Sequence, residues 1–126
     1  MKDRYNPHRE PDAAEWLGMH ETERLEAVKL YHRRKRIQIQ GFDSHAGVHV
    51  TVENQLAEGK PANVRATLER LMDQGLSRHE AIHAIGSLVA EAMYRVVREG
   101  TPFDPEQYQR DLDALTRDSW EKKYKG

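Results

Sequence analysis

Four of the chain's seven histidines fall into two pairs with one spacing, His45-x-x-x-His49 and His79-x-x-x-His83. On a helix, residues at i and i+4 stack on one face with Cβ atoms about 5–6 Å apart. Two imidazoles so placed are a recurrent way for a helix to offer two ligands to one metal ion. Glu53 extends the first pair by another turn, so His45, His49 and Glu53 follow one another at steps of about 40°. The second pair reads His79-Glu80-Ala81-Ile82-His83 and also satisfies H-E-x-x-H, in which two histidines bind zinc and the glutamate activates water. The candidate metal ligands are therefore His45, His49, Glu53, His79 and His83, and the candidate general base is Glu80.

The chain has no cysteine. Thiolate ligands and disulfides are excluded, and a metal must be held by imidazole and carboxylate. That donor set points to a divalent ion, Zn or Fe first, with Mn or Ni also compatible. One ion would take the four histidines, or His49, Glu53 and His83 with water. A second ion would need Glu53 and an outer carboxylate, for which Glu91 is a distant candidate. The competing reading is a metal-free cluster of core or pH-responsive histidines.

The hydrolase alternative built on H-E-x-x-H has a poor context. Zincins lay an extended substrate along a strand, and no strand pair is visible here. Glu80 also has a simpler role, as the acidic half of a Ser77-Arg78-His79-Glu80 capping box. Glu80-x-x-His83 equally resembles half of a di-iron carboxylate motif, but the second half is missing. Whether the protein is an enzyme stays open at this level. A catalytic ion keeps an open coordination position, whereas a closed four-histidine site is structural or regulatory. A metal-free helical interaction module is the remaining alternative.

The segments that must position these residues read as helices. Residues 1–10 are polar and aperiodic, a flexible arm, and 11–126 form one all-helical domain. A short helix opening near Pro11 carries Trp16 and Leu17. A second, over residues 21–36, buries Leu25 and Val28, with Tyr31 and His32 as further candidates, and ends in a basic run. His32 could support a metal ligand from outside, though nothing in the pattern demands it. Residues 37–41 read as an extended connector. The first histidine helix covers about 45–58, capped by Asp43 or Ser44. The next, about 62–74, ends at Gly75. The second histidine helix runs from the Ser77 cap to about Glu99, with Gly86 and Ala90 in its apolar stripe. A last helix starting at Asp104-Pro105 carries Tyr108, Leu112, Leu115 and Trp120. The class is all-α, a bundle of five to six helices joined by short turns. If each turn reverses the chain, the two histidine helices run parallel, with His45 level with His79 and His49 level with His83.

At 126 residues the chain is one domain able to bury its own core, and a charged fraction of 33% suits helices with polar outer faces. No apolar run is long enough to span a bilayer and no signal peptide is apparent, so the default expectation is a cytoplasmic protein without membrane contact. A formal net charge of −1 argues against nucleic acid as a partner. A protein partner or a homo-oligomer remains open.

Several blocks together resemble a known family. They are His45-x-x-x-His49-Val50-x-Val52-Glu53-Asn54-Gln55-Leu56-Ala57, Val64-Arg65, Leu68-x-Arg70-Leu71, and Arg78-His79-Glu80-Ala81-Ile82-His83-Ala84-Ile85-Gly86. Glu15-Trp16-Leu17 and Tyr31-His32-Arg33-Arg34 extend the likeness, which spans roughly residues 15–97. The chain resembles a family of small bacterial proteins known only as a domain of unknown function. The resemblance implies a bacterial, cytoplasmic, helical protein and brings no activity with it.

Overall fold

The computed structural model describes residues 5–34 and 42–124, without the side chains of 34, 42–45 and 124. The connector expected at 37–41 lies outside the described residues. Among the described residues there are seven helices and no strand. They are α1 (Ala13–Gly18), α2 (Glu21–Arg34), α3 (Phe42–Glu58), α4 (Val64–Asp73), α5 (Arg78–Glu99), α6 (Pro105–Ala114) and α7 (Arg117–Tyr124). None is long and apolar enough to cross a membrane.

The all-helical class agrees with the sequence reading, and the extra helix comes from the C-terminal segment. A single last helix was expected there, but the backbone extends at Leu115 (φ −71°, ψ 128°). Thr116 and Ser119 then exchange side chain-to-backbone hydrogen bonds of 3.0 and 3.1 Å, which cap the start of α7. Arg70 of α4 donates to the carbonyls of Leu112 and Leu115 at 2.7 and 2.9 Å, satisfying acceptors at the break. α3 also begins earlier than expected, so Asp43 and Ser44 lie within the helix rather than capping it.

Two apolar clusters share α3. On one side Ala46 and Val50 pack with Trp16 of α1, Val28 and Tyr31 of α2, and Tyr5. On the other, Val52 and Leu56 join Val64, Leu68 and Leu71 of α4, Ile82, Ile85 and Val89 of α5, and Tyr108, Leu112 and Trp120. Asn54 fastens the first side, accepting from Trp16 Nε1 at 2.8 Å and Arg24 Nη1 at 2.9 Å. Tyr108 belongs to the second and donates to Gln55 at 2.8 Å. Burial pushes its phenol up to about 12 against the opposing effect of that bond.

The parallel arrangement of the histidine helices is corrected by their contacts. Val48 lies beside Gly86, His49 beside both His83 and His79, and Glu53 beside Arg78. Advancing along α3 therefore means retreating along α5, so the helices run antiparallel. The two turns flanking α4 together reverse the chain once, rather than reversing it twice. Close approach depends on Gly86, where an added Cβ would meet Val48 Cγ1 at 2.6 Å.

Gly86→Ala should therefore destabilise the fold by about 1–3 kcal/mol through overpacking, despite the better helix propensity of alanine. Gly47, with nothing within 4 Å of such a Cβ, is the control. Gly47→Ala should be neutral or stabilise by up to about 1 kcal/mol. Urea unfolding of both variants checks the contrast.

Candidate metal centre

The site forms on the seam between the two apolar faces of α3. Taking Ala46 as zero, Val50 and Ala57 lie at about +20 to +40° and Val52 and Leu56 at about −120 to −80°. His49 and Glu53 fall between them, at about −60° and −20°. Both are buried, at 1% and 2% exposure. α2 sends His32, also fully buried, to the same seam. α5 sends His79 and His83 from the two turns after its cap, both half-buried. The ring nitrogens of His32, His49, His79 and His83 include one from each residue, and these four lie within 4.8 Å of one another.

A charged pair holds this seam together. Arg78 donates to both Glu53 oxygens, Nη1 to Oε2 at 2.9 Å and Nη2 to Oε1 at 2.8 Å, and its exposure is only 6%. Such a two-pronged pairing is the geometry in which a buried carboxylate is best satisfied. Burial works against the guanidinium's charge, but the hydrogen bond and charge of Glu53 outweigh it and hold the Arg78 pKa above the ordinary arginine value. The Pro7 carbonyl accepts from Arg78 at 2.8 Å, which ties the N-terminal segment to α5.

That segment supplies a further participant. Tyr5 is 2% exposed and donates its hydroxyl to Glu53 Oε2 at 2.6 Å, while its oxygen stands 3.0 Å from His49 Nδ1. Burial, then the neighbouring Glu53 charge, raise its pKa well above the usual phenol value. Because the hydroxyl proton goes to the carboxylate, the oxygen accepts from His49, and Nδ1 carries the hydrogen. Neutral His49 then has its lone pair on Nε2. His32 is oriented in the same sense: its Nδ1 faces the Val28 carbonyl at 2.8 Å. A carbonyl can only accept, so that nitrogen donates and the lone pair lies on Nε2.

The resulting arrangement matches what a cation asks of histidine, one nitrogen held by an oxygen behind it and the lone pair on the other. His49 Nε2 and His83 Nε2 stand 3.1 Å apart. Two nitrogens bound to one tetrahedral ion at about 2.0–2.1 Å are separated by roughly 3.4 Å. The widest pair in the group would need to draw in by no more than about 1.4 Å. The rings are already crossed at close range, with His79 and His83 centroids 4.3 Å apart and His32 and His49 5.1 Å apart.

Of the residues expected from sequence, His49, His79 and His83 are brought together. Glu53 is adjacent but has both oxygens engaged by Arg78 and Tyr5. Glu80 completes the capping box with Ser77, through bonds of 3.0 and 3.1 Å. The side chain of His45 lies outside the described residues; in the antiparallel register its position falls beyond His83, away from His79. Residues 5–10, read as a loose arm, lie against the site: besides Tyr5 and Pro7, His8 packs its ring on His79 with centroids 5.4 Å apart. Glu10 pairs with Arg65 at 2.8 Å.

The sequence reading assigns no site role to Tyr5 or Arg78, and to His32 only the support of a ligand from outside. His32 and Arg78 carried a signal. His32 continues the buried stripe of Leu25 and Val28, where a polar ring needs a partner. Arg78 opens a helix at its positive end, where a cation is disfavoured unless something else compensates. Tyr5 had none, since its hydrogen-bond partners are more than 40 residues away.

Arg78→Met should cost about 3–5 kcal/mol because Glu53 is left buried and unpaired. Adding Glu53→Gln should recover much of that loss, measured as a double-mutant cycle in urea. Tyr5→Phe should cost about 1–3 kcal/mol. Tyr5 holds its proton more tightly folded than unfolded, so its stabilisation is complete below about pH 10 and is lost as pH rises beyond that. The alkaline fall in stability should thus be shallower in Tyr5→Phe than in the parent.

No curated protein and no solved structure matches the chain. A family model does, over residues 15–114, reaching past the blocks noted above to the end of α6. The chain belongs to the family described as Domain of unknown function (DUF1841).

Proposed function

We propose that the protein binds one divalent metal ion through His32, His49, His79 and His83. The observation that carries this reading is the convergence of four ring nitrogens from three helices within 4.8 Å. It is strengthened by the two rings, His32 and His49, whose outer nitrogens are held by oxygen acceptors. The ligand set differs from the one read from sequence. His32 enters it, and Glu53 acts from behind, through Tyr5, to orient His49.

An all-imidazole set favours Zn, Fe or Ni and weakens the case for Mn, which prefers carboxylate. Neutral ligands also leave the charge of a dication uncompensated, and the Glu53 charge is already balanced by Arg78. The half-buried side, at His79 and His83, is where an exchangeable ligand would reach the ion. Four protein ligands fit a structural or regulatory ion better than a hydrolytic one, which needs an open position. The H-E-x-x-H reading gains no support from Glu80, whose carboxylate serves the helix cap.

Untagged protein purified without chelator should carry close to one equivalent of Zn, Fe or Ni per chain by elemental analysis. Chelator-stripped protein should take up Zn²⁺ and gain about 2.7 kcal/mol of stability at a free concentration 100 times the Kd. His32→Ala and His83→Ala should abolish uptake while His20→Ala, an exposed residue outside the group, keeps it. Absence of uptake by the folded parent, or retention by His32→Ala, overturns the assignment.

A further inference from the structure

The far half of α5 is unlike the half that builds the site. α5 has 22 residues, about 33 Å of helix. In the antiparallel register set by Val48 and Gly86, the first residue of α3, Phe42, falls level with about residue 92 of α5. The last two turns of α5 therefore overhang α3. Met93 and Val97 lie within about 20° of Gly86 on the helical wheel, so the face that α3 covers at Gly86 continues without it. Met93 is 52% exposed, Tyr94 59% and Val97 81%, and Ala90 is exposed beside them. The opposite side of the same turns is occupied, with Arg95 paired to Asp111 of α6 at 3.8 Å.

We infer that this stripe is a self-association surface, on which α5 of a second copy packs antiparallel about a two-fold axis between Met93 and Tyr94. The pattern is self-complementary. Such an axis sets Met93 against Tyr94 of the second copy and Ala90 against Val97, each pair occurring twice. It also brings Glu91 to the same edge as Arg98 of the second copy, offset by two residues or about 3 Å along the axis. These two flank the stripe on one edge, at about +100° and +80° from its centre, and same-edge positions are the ones that meet in an antiparallel helix pair. Charge complementarity thus favours a second copy in this one orientation. A parallel two-fold pair would instead bring opposite edges together and leave Glu91 and Arg98 apart. Glu91 also accepts from Lys123 of α7. The metal site is separate, two to four turns back along α5, so this inference stands independently of it.

A single helix stripe is at the small end of specific interfaces, and the expected dimer is weak, with a Kd on the order of micromolar to hundreds of micromolar. Sedimentation equilibrium of the full chain from about 1 to 500 µM should show a concentration-dependent monomer–dimer mixture. Val97→Glu, at the most exposed position, should weaken association at least about tenfold with unchanged helicity by circular dichroism. Arg98→Glu and Glu91→Arg should each weaken it, and the double swap should restore it. A chain that stays monomeric across the range overturns the proposal, as does a double swap that fails to restore dimer. A monomer whose stability falls on Val97→Glu assigns the stripe to an intrachain contact and overturns it equally.

Discussion

Glu53 and Arg78 form an ion pair from which water is almost wholly excluded, and the arrangement around the histidines follows from keeping that pair satisfied. A buried carboxylate must be paired and hydrogen-bonded or it neutralises. Here two guanidinium nitrogens and the Tyr5 hydroxyl share its two oxygens. Arg78 is in turn held at the first position of α5, the end of a helix least suited to a cation, because Glu53 compensates it. The pair pins the later half of α3 to the start of α5. With Gly86 permitting contact at Val48, two points define the antiparallel register. His49 is thereby delivered between His79 and His83.

The same pair reaches the proposed metal site by a chain of hydrogen bonds rather than by contact. Glu53 accepts from the Tyr5 hydroxyl, whose oxygen accepts from His49 Nδ1, and the lone pair on His49 Nε2 faces His83. The Val28 carbonyl does the same for His32 within a single helix. Orientation is thus built in at two of four rings. Tyr5 precedes the family-matched residues 15–114, so part of what orients the site lies outside the region by which the family is defined.

Much of this was legible because helical spacing is a local property. The two histidine pairs, the Ser77 capping box, the end of α5 at Glu99 and the small residue at Gly86 all follow from neighbours within one or two turns. The histidine cluster was only partly legible. Glu53 lies in phase with His49, and periodicity alone cannot distinguish a carboxylate facing a metal from one facing an arginine. His32 sits on a buried stripe, but its contribution depends on α2 meeting α3. The direction of α5 relative to α3 is not legible locally, because a short turn need not reverse the chain in full. Tyr5 shows the limit most clearly: an aromatic residue in a polar, aperiodic stretch has nothing local to mark it, and burial comes entirely from a surface built by distant helices.

The central claim is that four imidazoles, His32 among them, hold one ion, and X-ray absorption at the metal edge of loaded protein tests it most directly. The account requires a first shell of nitrogen at about 2.0–2.1 Å for zinc, with outer-shell scattering from imidazole that loses one ring in His32→Ala. A first shell dominated by oxygen, or an imidazole count unchanged by that substitution, would contradict it.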